Sequence, residues 1–152
     1  MKVVFFDGRC GFCSSFVRFV WKRDRKGAIF FAAIQSETGR RMLAEAGVPS
    51  PNMETMYFIS EKALLDRSSA VLGVFGELPR YRTLAFFGRM VPRLLRDRIY
   101  LLVARNRHRL PGGQCELPPA EVVERFLDRD DQGDKSLALG AGKFESREAK
   151  VD

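Results

Sequence analysis

Short apolar runs and stretches of helical periodicity alternate along the first half of this chain. Residues 2–7, 28–34 and 55–60 are rich in β-branched and aromatic side chains, a composition that predicts buried strands. Residues 12–25 place apolar side chains three and four positions apart, which predicts a helix with one apolar stripe. Residues 36–46 predict a second helix, because this segment begins with a serine N-cap and is followed by a glycine.

A hairpin and a third helix follow these elements. Residues 63–66 predict a short fourth strand after a turn, and residues 68–75 predict a helix capped by Ser68 or Ser69. Two strands joined through a helix form a parallel pair, and the later strands add a hairpin. The resulting order, βαβαββα, is that of an α/β protein with a thioredoxin-like fold.

Beyond about residue 80, the sequence predicts a helical C-terminal extension. Residues 84–96 and 97–106 form either one helix kinked at Pro92 or two helices, because proline interrupts helical hydrogen bonding. Residues 119–127 predict a last helix with proline in its first turn. Residues 131–152 contain few core-forming side chains, which predicts a disordered tail. We therefore expect a single domain over residues 1–130.

The net charge of +7 is concentrated in one segment. Residues 80–109 contain nine arginines and a single acidic residue, Asp97. Such arginines can follow the phosphates of a nucleic acid, and the apolar residues between them suit a membrane surface. The preferred interpretation is an amphipathic helical segment that packs its apolar face on the sheet and solvates its arginines. We therefore expect neither nucleic-acid binding nor integral membrane association.

The sequence also bears on the cellular compartment. It contains no stretch of about 18 apolar residues that would predict a membrane span. Residues 1–7 are too short an apolar run, and too soon charged, for a signal peptide. We therefore expect a cytoplasmic protein, in which cysteines are more often catalytic or metal-binding than joined in structural disulfides.

Cys10 and Cys13 form a C-x-x-C motif at the junction of the first predicted strand and helix. One helical turn brings two such sulfurs within bonding distance. The first cysteine then lies at the helix N-terminus, where the helix dipole and free N–H groups favour a thiolate. This arrangement predicts disulfide exchange, in which Cys10 attacks a substrate disulfide and Cys13, expected to be more buried, resolves the intermediate.

Residues 6–13 read FDGRCGFC, which resembles the D-x-x-C-x-x-C signature of the DCC family of thiol–disulfide oxidoreductases, assigned to the thioredoxin-like superfamily. The resemblance spans about residues 3–127, and its further landmarks are residues 22–24, 31–36, 68–70, 92–97, 104–107 and 115–118. It implies an enzyme, a protein-disulfide reductase or related oxidoreductase, with Asp7, Cys10 and Cys13 as site residues. It implies a protein or small-molecule disulfide or thiol as substrate, a cellular thiol as reductant, and no cofactor.

Asp7 has two possible roles on sequence grounds. Its carboxylate can exchange the proton of Cys13 during catalysis, or its side-chain oxygen can cap the turn that leads to the cysteines. An ionised Asp7 would raise the pKa of a neighbouring thiol, against the effect of the helix dipole. The chain also departs from thioredoxins, because no proline directly precedes the third predicted strand and the nearest one is Pro51.

A structural zinc site is the remaining alternative. Cys10, Cys13, His108 and Cys115 are all the cysteines and histidines of the chain, and together they could supply three thiolates and one imidazole. His108 and Cys115 are separated by a Pro-Gly-Gly turn and lie farther apart than zinc ligands usually do, so no metal belongs to the preferred interpretation. Cys115 remains open as an auxiliary thiol, a zinc ligand or a small buried apolar residue.

Overall fold

The computed structural model of the protein describes residues 1–61, 63–107, 109–110 and 120–129. The strands are β1 (Lys2–Phe6), β2 (Ile29–Ala33), β3 (Tyr57–Ile59) and β4 (Leu64–Asp66). The helices are α1 (Gly11–Arg23), α2 (Glu37–Glu45), α3 (Arg67–Glu77), α4 (Arg82–Met90), α5 (Arg93–Asn106) and α6 (Ala120–Val123), with a 3-10 turn at Pro79–Tyr81. The predicted tail lies outside the described residues, so the single-domain boundaries stay a prediction.

The four strands form one mixed sheet in the order β2-β1-β3-β4. Strand β1 pairs in parallel with β2 and antiparallel with β3, and β4 pairs antiparallel with β3. A parallel pair needs a crossover, which α1 provides, whereas the antiparallel pair β3–β4 is a hairpin. The predicted order βαβαββα is confirmed, and the fold is thioredoxin-like with a helical extension.

Strand β1 is buried on both faces of the sheet because its alternating side chains join two separate cores. Val4 and Phe6 join the core that contains the apolar stripe of α1, including Val17. Val3 and Phe5 join the opposite core, which includes side chains of α2. A strand covered on both sides is expected to be a continuous apolar run, and the first five residues after Met1 are such a run apart from Lys2.

Of the two helix caps predicted from the sequence, one is confirmed and the other is wrong. The Ser36 hydroxyl accepts a hydrogen bond from the Gly39 N–H at 2.9 Å, which is the predicted cap of α2. Helix α3, however, begins at Arg67 with Asp66 at the N-cap position, not at Ser68 or Ser69. The Ser68 hydroxyl instead donates to the Asp97 carboxylate of α5, so the extension removes this serine from capping.

The first part of the extension contains two helices that are separated at residues 91–92, and not at the predicted boundary between residues 96 and 97. Helix α4 ends at Met90, and Pro92 occupies the N-cap position of α5, where its missing N–H is harmless. The expectation that the apolar side chains of this segment pack on the sheet is wrong. More than a third of the surface of ten large apolar side chains is exposed: Leu84, Phe86, Phe87, Met90, Val91, Leu94, Leu95, Ile99, Leu102 and Val103.

The C-terminal described segment continues the sheet beyond a short helix. Helix α6 ends at Val123, so the predicted helix over residues 119–127 is too long. Phe126 instead forms a parallel bridge with Phe31. The Phe31 N–H donates to the Arg125 C=O, and the Phe31 C=O accepts from the Leu127 N–H, each at 2.9 Å. This segment therefore satisfies backbone groups on the outer edge of β2, which an unpaired edge strand would leave open. Among the described residues, no helix is long and apolar enough to cross a bilayer.

Phe126→Ala should destabilise the protein by about 3–5 kcal/mol, because it removes a buried ring that contacts Phe6, Trp21 and Phe31. Val123→Ala on the preceding helix is the matched control, since Val123 is 38% exposed and should change stability by less than about 1 kcal/mol. Urea unfolding of both variants measures the difference. Equal stability of the two variants would show that the C-terminal segment is not part of the cooperative core.

Candidate active site

Asp7 organises the turn between β1 and α1. The Asp7 C=O accepts a hydrogen bond from the Cys10 N–H at 3.1 Å, and its Oδ1 accepts one from the Arg9 N–H at 3.0 Å. The Gly8 N–H donates to Gln35 Oε1 at 3.1 Å. These contacts fit the predicted capping role of Asp7, and they fix the position of Cys10 relative to the strand.

Cys10 occupies the N-cap position of α1, and Cys13 lies in the first turn of that helix. The Cys10 C=O accepts the Ser14 N–H at 3.0 Å, which begins the helical hydrogen bonding, and both cysteines carry free thiols. The predicted order of burial is wrong. Cys10 is only 4% exposed, whereas Cys13 is half-buried. Cys10 is therefore at the positive end of the helix dipole but is the less accessible thiol.

The environment of Cys13 strongly favours its neutral form. Burial raises the pKa of the Cys13 thiol to about 12, helped by its hydrogen bond with Cys10 and by the negative charges of Cys10 and Asp7. The cation of Arg107 acts in the opposite direction and favours the Cys13 thiolate. At neutral pH Cys13 is therefore protonated, the form that can donate a hydrogen bond to the sulfur of Cys10.

Arg107, which follows the last residue of α5, completes the site. Its guanidinium contacts three groups: Asp7 Oδ2 at 3.0 Å, Cys13 Sγ at 3.7 Å and the Met53 C=O at 3.4 Å. Arg107 is 8% exposed, so it forms a buried ion pair with Asp7. A buried pair of this kind is costly to break, because either partner alone would be an uncompensated buried charge.

The carboxylate of Asp7 is engaged at both oxygens. Oδ1 accepts from the Gln35 side-chain amide at 2.5 Å in addition to the Arg9 N–H, and Oδ2 accepts from Arg107. The sequence predicted the cap but neither side-chain partner. A role of Asp7 in proton exchange with Cys13 stays a prediction.

The loop before β3 contacts Tyr100 of α5 and Arg107, the arginine that also contacts Cys13. Met53 accepts from Arg107, and the Met56 N–H donates to the Tyr100 hydroxyl at 2.9 Å. Met56 also packs against the same apolar core as Cys13. The contacts of this loop near the site are therefore those with Tyr100 and Arg107. Thioredoxins place a cis-proline at this point, whereas the described residues of this chain contain no cis peptide bond.

The sequence was compared with protein families, curated proteins and solved structures once this geometry was established. The family model of the DCC1-like thiol–disulfide oxidoreductases matches residues 4–113. The chain belongs to this family. It is 36% identical over 130 residues to the uncharacterized protein YuxK of Bacillus subtilis (strain 168), covering 83% of this chain and 93% of YuxK. It is also 34% identical over 119 residues to a chloroplastic DCC family protein of Arabidopsis thaliana, covering 76% of this chain and 69% of the relative. No solved structure matches the chain.

In this DCC1-like chain, sequence reasoning missed Gln35, Tyr100 and Arg107 as site residues. In the amphipathic interpretation of the extension, Tyr100 belongs to the apolar residues that pack on the sheet. Arg107 belongs to the arginines that are exposed to solvent. Arg107 lies 100 residues from Asp7, so no local pattern connects the two. The available signal was the family resemblance, because residues 31–36 and 104–107 are among its landmarks and contain Gln35 and Arg107.

The zinc alternative is not tested by the described residues. His108 and Cys115 both lie outside them, so only Cys10 and Cys13 of the four candidate ligands can be placed. In the part of the chain that the structure describes, no group of three or more His, Cys, Asp or Glu residues is arranged to hold a metal ion. The possible role of Cys115 as an auxiliary thiol likewise stays a prediction.

Arg107→Met should raise the pH at which Cys13 becomes reactive. In a Cys10→Ser background, the pH dependence of Cys13 alkylation should shift upward by about 1 unit or more when Arg107 is replaced, because the cation that favours the thiolate is lost while Asp7 remains. Iodoacetamide labelling at a series of pH values, read by mass spectrometry, measures the midpoint.

Arg105→Met is the matched control, since Arg105 is exposed on the same helix and should leave the midpoint unchanged. Arg107→Lys keeps a positive charge, so its alkylation midpoint should lie between those of Arg107→Met and Arg105→Met. This variant separates the electrostatic effect from loss of the fold. Circular dichroism identifies any unfolded variant. A midpoint that does not move in Arg107→Met would contradict the assigned effect of this guanidinium.

Proposed function

We propose that this protein catalyses thiol–disulfide exchange, with Cys10 as the nucleophile and Cys13 as the resolving thiol. The observation that carries the proposal is the position of Cys10 at the N-cap of α1, next to a Cys13 thiol that remains protonated at neutral pH. A helix N-terminus favours a thiolate, and a neighbouring S–H group that donates to it does the same. Membership of the DCC1-like family supports the reaction class.

The exchange proceeds in two steps that conserve sulfurs and electrons. The Cys10 thiolate attacks one sulfur of a substrate disulfide, so that a Cys10–substrate disulfide forms and the other substrate sulfur leaves as a thiolate. Cys13 then attacks Cys10 and forms the internal disulfide, which releases the second substrate thiol. The proton of Cys13 passes to a released thiolate, either directly or through Asp7. The substrate is reduced and the protein dithiol is oxidised by two electrons.

Arg107 gains importance between the two steps. In the mixed disulfide, Cys10 no longer carries negative charge and no longer accepts a hydrogen bond, so two of the causes that raise the pKa of Cys13 are absent. The guanidinium of Arg107, which lies 3.7 Å from Cys13 Sγ in the reduced protein, keeps its positive charge whether or not Cys10 is in a disulfide. Cys13 therefore becomes easier to deprotonate at the point when the mechanism requires its thiolate.

Access is the requirement that limits the first step. Cys10 is 4% exposed, so a substrate sulfur reaches it only if neighbouring groups move aside. Cys13 is more accessible in the reduced protein, but its raised pKa makes its deprotonation costly. Electrostatics therefore favours Cys10 as the nucleophile and accessibility favours Cys13, and trapping experiments distinguish the two.

The reaction defines the partners that we propose. The oxidised protein needs a cellular thiol to restore its dithiol, and a protein or a small-molecule disulfide can serve as substrate. A cytoplasmic location, expected from the sequence, would supply such a reductant. No cofactor is required, because both electrons are held by the two sulfurs.

Cys10→Ser should abolish disulfide exchange, and Cys13→Ser should accumulate mixed disulfides through Cys10, because the resolving thiol is absent. Exchange is measured by insulin reduction and by a glutathione redox titration of the purified protein. Peptide mass spectrometry of glutathione-treated Cys13→Ser protein identifies the linked cysteine.

Cys115→Ser is the control for this experiment and should retain the two-electron couple, since the proposal confines it to Cys10 and Cys13. Stable adducts on Cys13 in Cys10→Ser, with none on Cys10 in Cys13→Ser, would reverse the assigned roles. About one zinc per chain, with the thiols protected until a chelator is added, would contradict the proposed activity. It would show that the protein is a metal-stabilised domain.

A further inference from the structure

Helix α5 turns its polar side chains toward the protein. Three of them anchor it: Asp97 accepts from the Ser68 hydroxyl, Tyr100 bonds the Met56 N–H, and Arg107, just after the helix, reaches Asp7. These positions are spaced by three and seven residues and so share one side of the helix. The large apolar side chains of α5 therefore lie on the other side, where Leu94 is 82% and Leu102 65% exposed.

Helix α4 shows the same arrangement for a different reason. Its inner side consists of small residues, because Ala85 is buried and Gly88 lies directly against Leu72 of α3. A side chain at Gly88 would place its Cβ 2.6 Å from a Leu72 methyl carbon, so Leu72 would have to move to accommodate it. Its large apolar residues consequently point away from the protein, with Phe87 60% and Met90 71% exposed.

The exposed large apolar side chains of α4, α5 and the junction between them are together called the apolar face. They are Leu84, Phe86, Phe87, Met90, Val91, Leu94, Leu95, Ile99, Leu102 and Val103. A soluble monomer rarely exposes so many neighbouring large apolar side chains, and such surfaces mark interaction sites. The preferred interpretation of the sequence buries these side chains on the sheet, whereas the membrane-surface alternative leaves them uncovered.

The charges around the apolar face are positive. Arg82, Arg89, Arg98 and Arg105 are exposed on the same two helices. The single acidic residue of the segment, Asp97, lies on the inner side and pairs with Ser68 and Arg93. A second copy of the chain would bring a like-charged border against this one, which disfavours self-association. A negatively charged partner surface is complementary to it.

An open cationic groove adjoins this border at the start of α4. Arg82 is the first residue of α4 and also lines the groove, together with Arg80 of the preceding 3-10 turn. Lys22, Arg25 and Lys26, from the end of α1 and the residues after it, contribute further positive charge. The positive surface therefore extends beyond the helices on which the apolar face lies.

We propose that the apolar face docks on an anionic lipid surface, with α4 and α5 lying along the interface. Apolar side chains bordered by arginine are what such a surface recognises, because the former enter the boundary between headgroups and acyl chains while the latter meet phosphates. The proposal is independent of the redox chemistry. It would bring the C-x-x-C site to the membrane, since the inner side of α5 contacts that site through Tyr100 and Arg107.

Co-sedimentation of the full chain with vesicles tests this proposal. We expect binding to vesicles that mix phosphatidylcholine with phosphatidylglycerol, little binding to phosphatidylcholine alone, and weaker binding as salt increases. The double variant Leu94→Asp/Leu102→Asp should lower the affinity by about tenfold or more, because each leucine loses its burial in the interface. Val123→Asp, at an exposed apolar residue outside the face, should bind as the wild type does.

A second pair of variants tests the charge. Arg98→Gln/Arg105→Gln should weaken binding roughly tenfold, whereas Arg40→Gln/Arg41→Gln, on exposed positions of α2, should have little effect. Cys10→Ser should bind normally, so a failure of the redox proposal would not be mistaken for a failure of this one.

Three outcomes would overturn the proposal. Equal binding to neutral and anionic vesicles would remove the charge complementarity on which it rests. A dimer in analytical ultracentrifugation that Leu94→Asp/Leu102→Asp dissociates would assign the face to a second copy of the chain. A monomer that binds neither kind of vesicle would leave a protein partner as the occupant and exclude the lipid surface.

Discussion

The buried ion pair between Asp7 and Arg107 connects the turn that carries Cys10 to the helical extension. Asp7 belongs to the turn after β1, while Arg107 follows α5, 100 residues later. The same guanidinium contacts Cys13 and the loop before β3. Losing either charge would leave the other buried and unpaired, at a cost of about 3–5 kcal/mol. The extension is therefore part of the site and not an appendage to a complete thioredoxin-like core.

The ion pair also divides the electrostatic control of the two thiols. Burial and the charges of Cys10 and Asp7 hold the Cys13 proton in place, whereas Arg107 favours its release. Only the contribution of Cys10 is lost when that residue enters a disulfide, whereas burial and the charges of Asp7 and Arg107 do not depend on it. In the proposed exchange, the balance at Cys13 therefore changes when Cys10 enters a disulfide, which would favour deprotonation of Cys13 at the second step.

Local patterns predicted most of the fold, and long-range contacts account for what they missed. A run of β-branched and aromatic side chains identified β1, and the serine cap identified α2, because both signals lie within a few residues of the element. Phe126 and Arg107 could not be placed in this way. Each is fixed by partners about 100 residues away, Phe31 on the edge strand for the former and Asp7 for the latter. Cys10 and Cys13 were identified by spacing, but their relative burial was not, because it depends on the residues packed around the turn.

Periodicity predicted the helices α4 and α5 but not which side of each faces the protein. An amphipathic pattern indicates that one side of a helix is apolar. It does not indicate whether that side packs against the same chain or against another surface. In α5 the answer follows from its polar anchors, since Asp97, Tyr100 and Arg107 can reach their partners only if the opposite side is turned outward. The contacts that complete the redox site and the exposure of the apolar face are thus two consequences of one helix orientation. Any interaction that covers the outer side of α5 therefore contacts the helix that ends next to Arg107, whose guanidinium lies 3.7 Å from Cys13 Sγ.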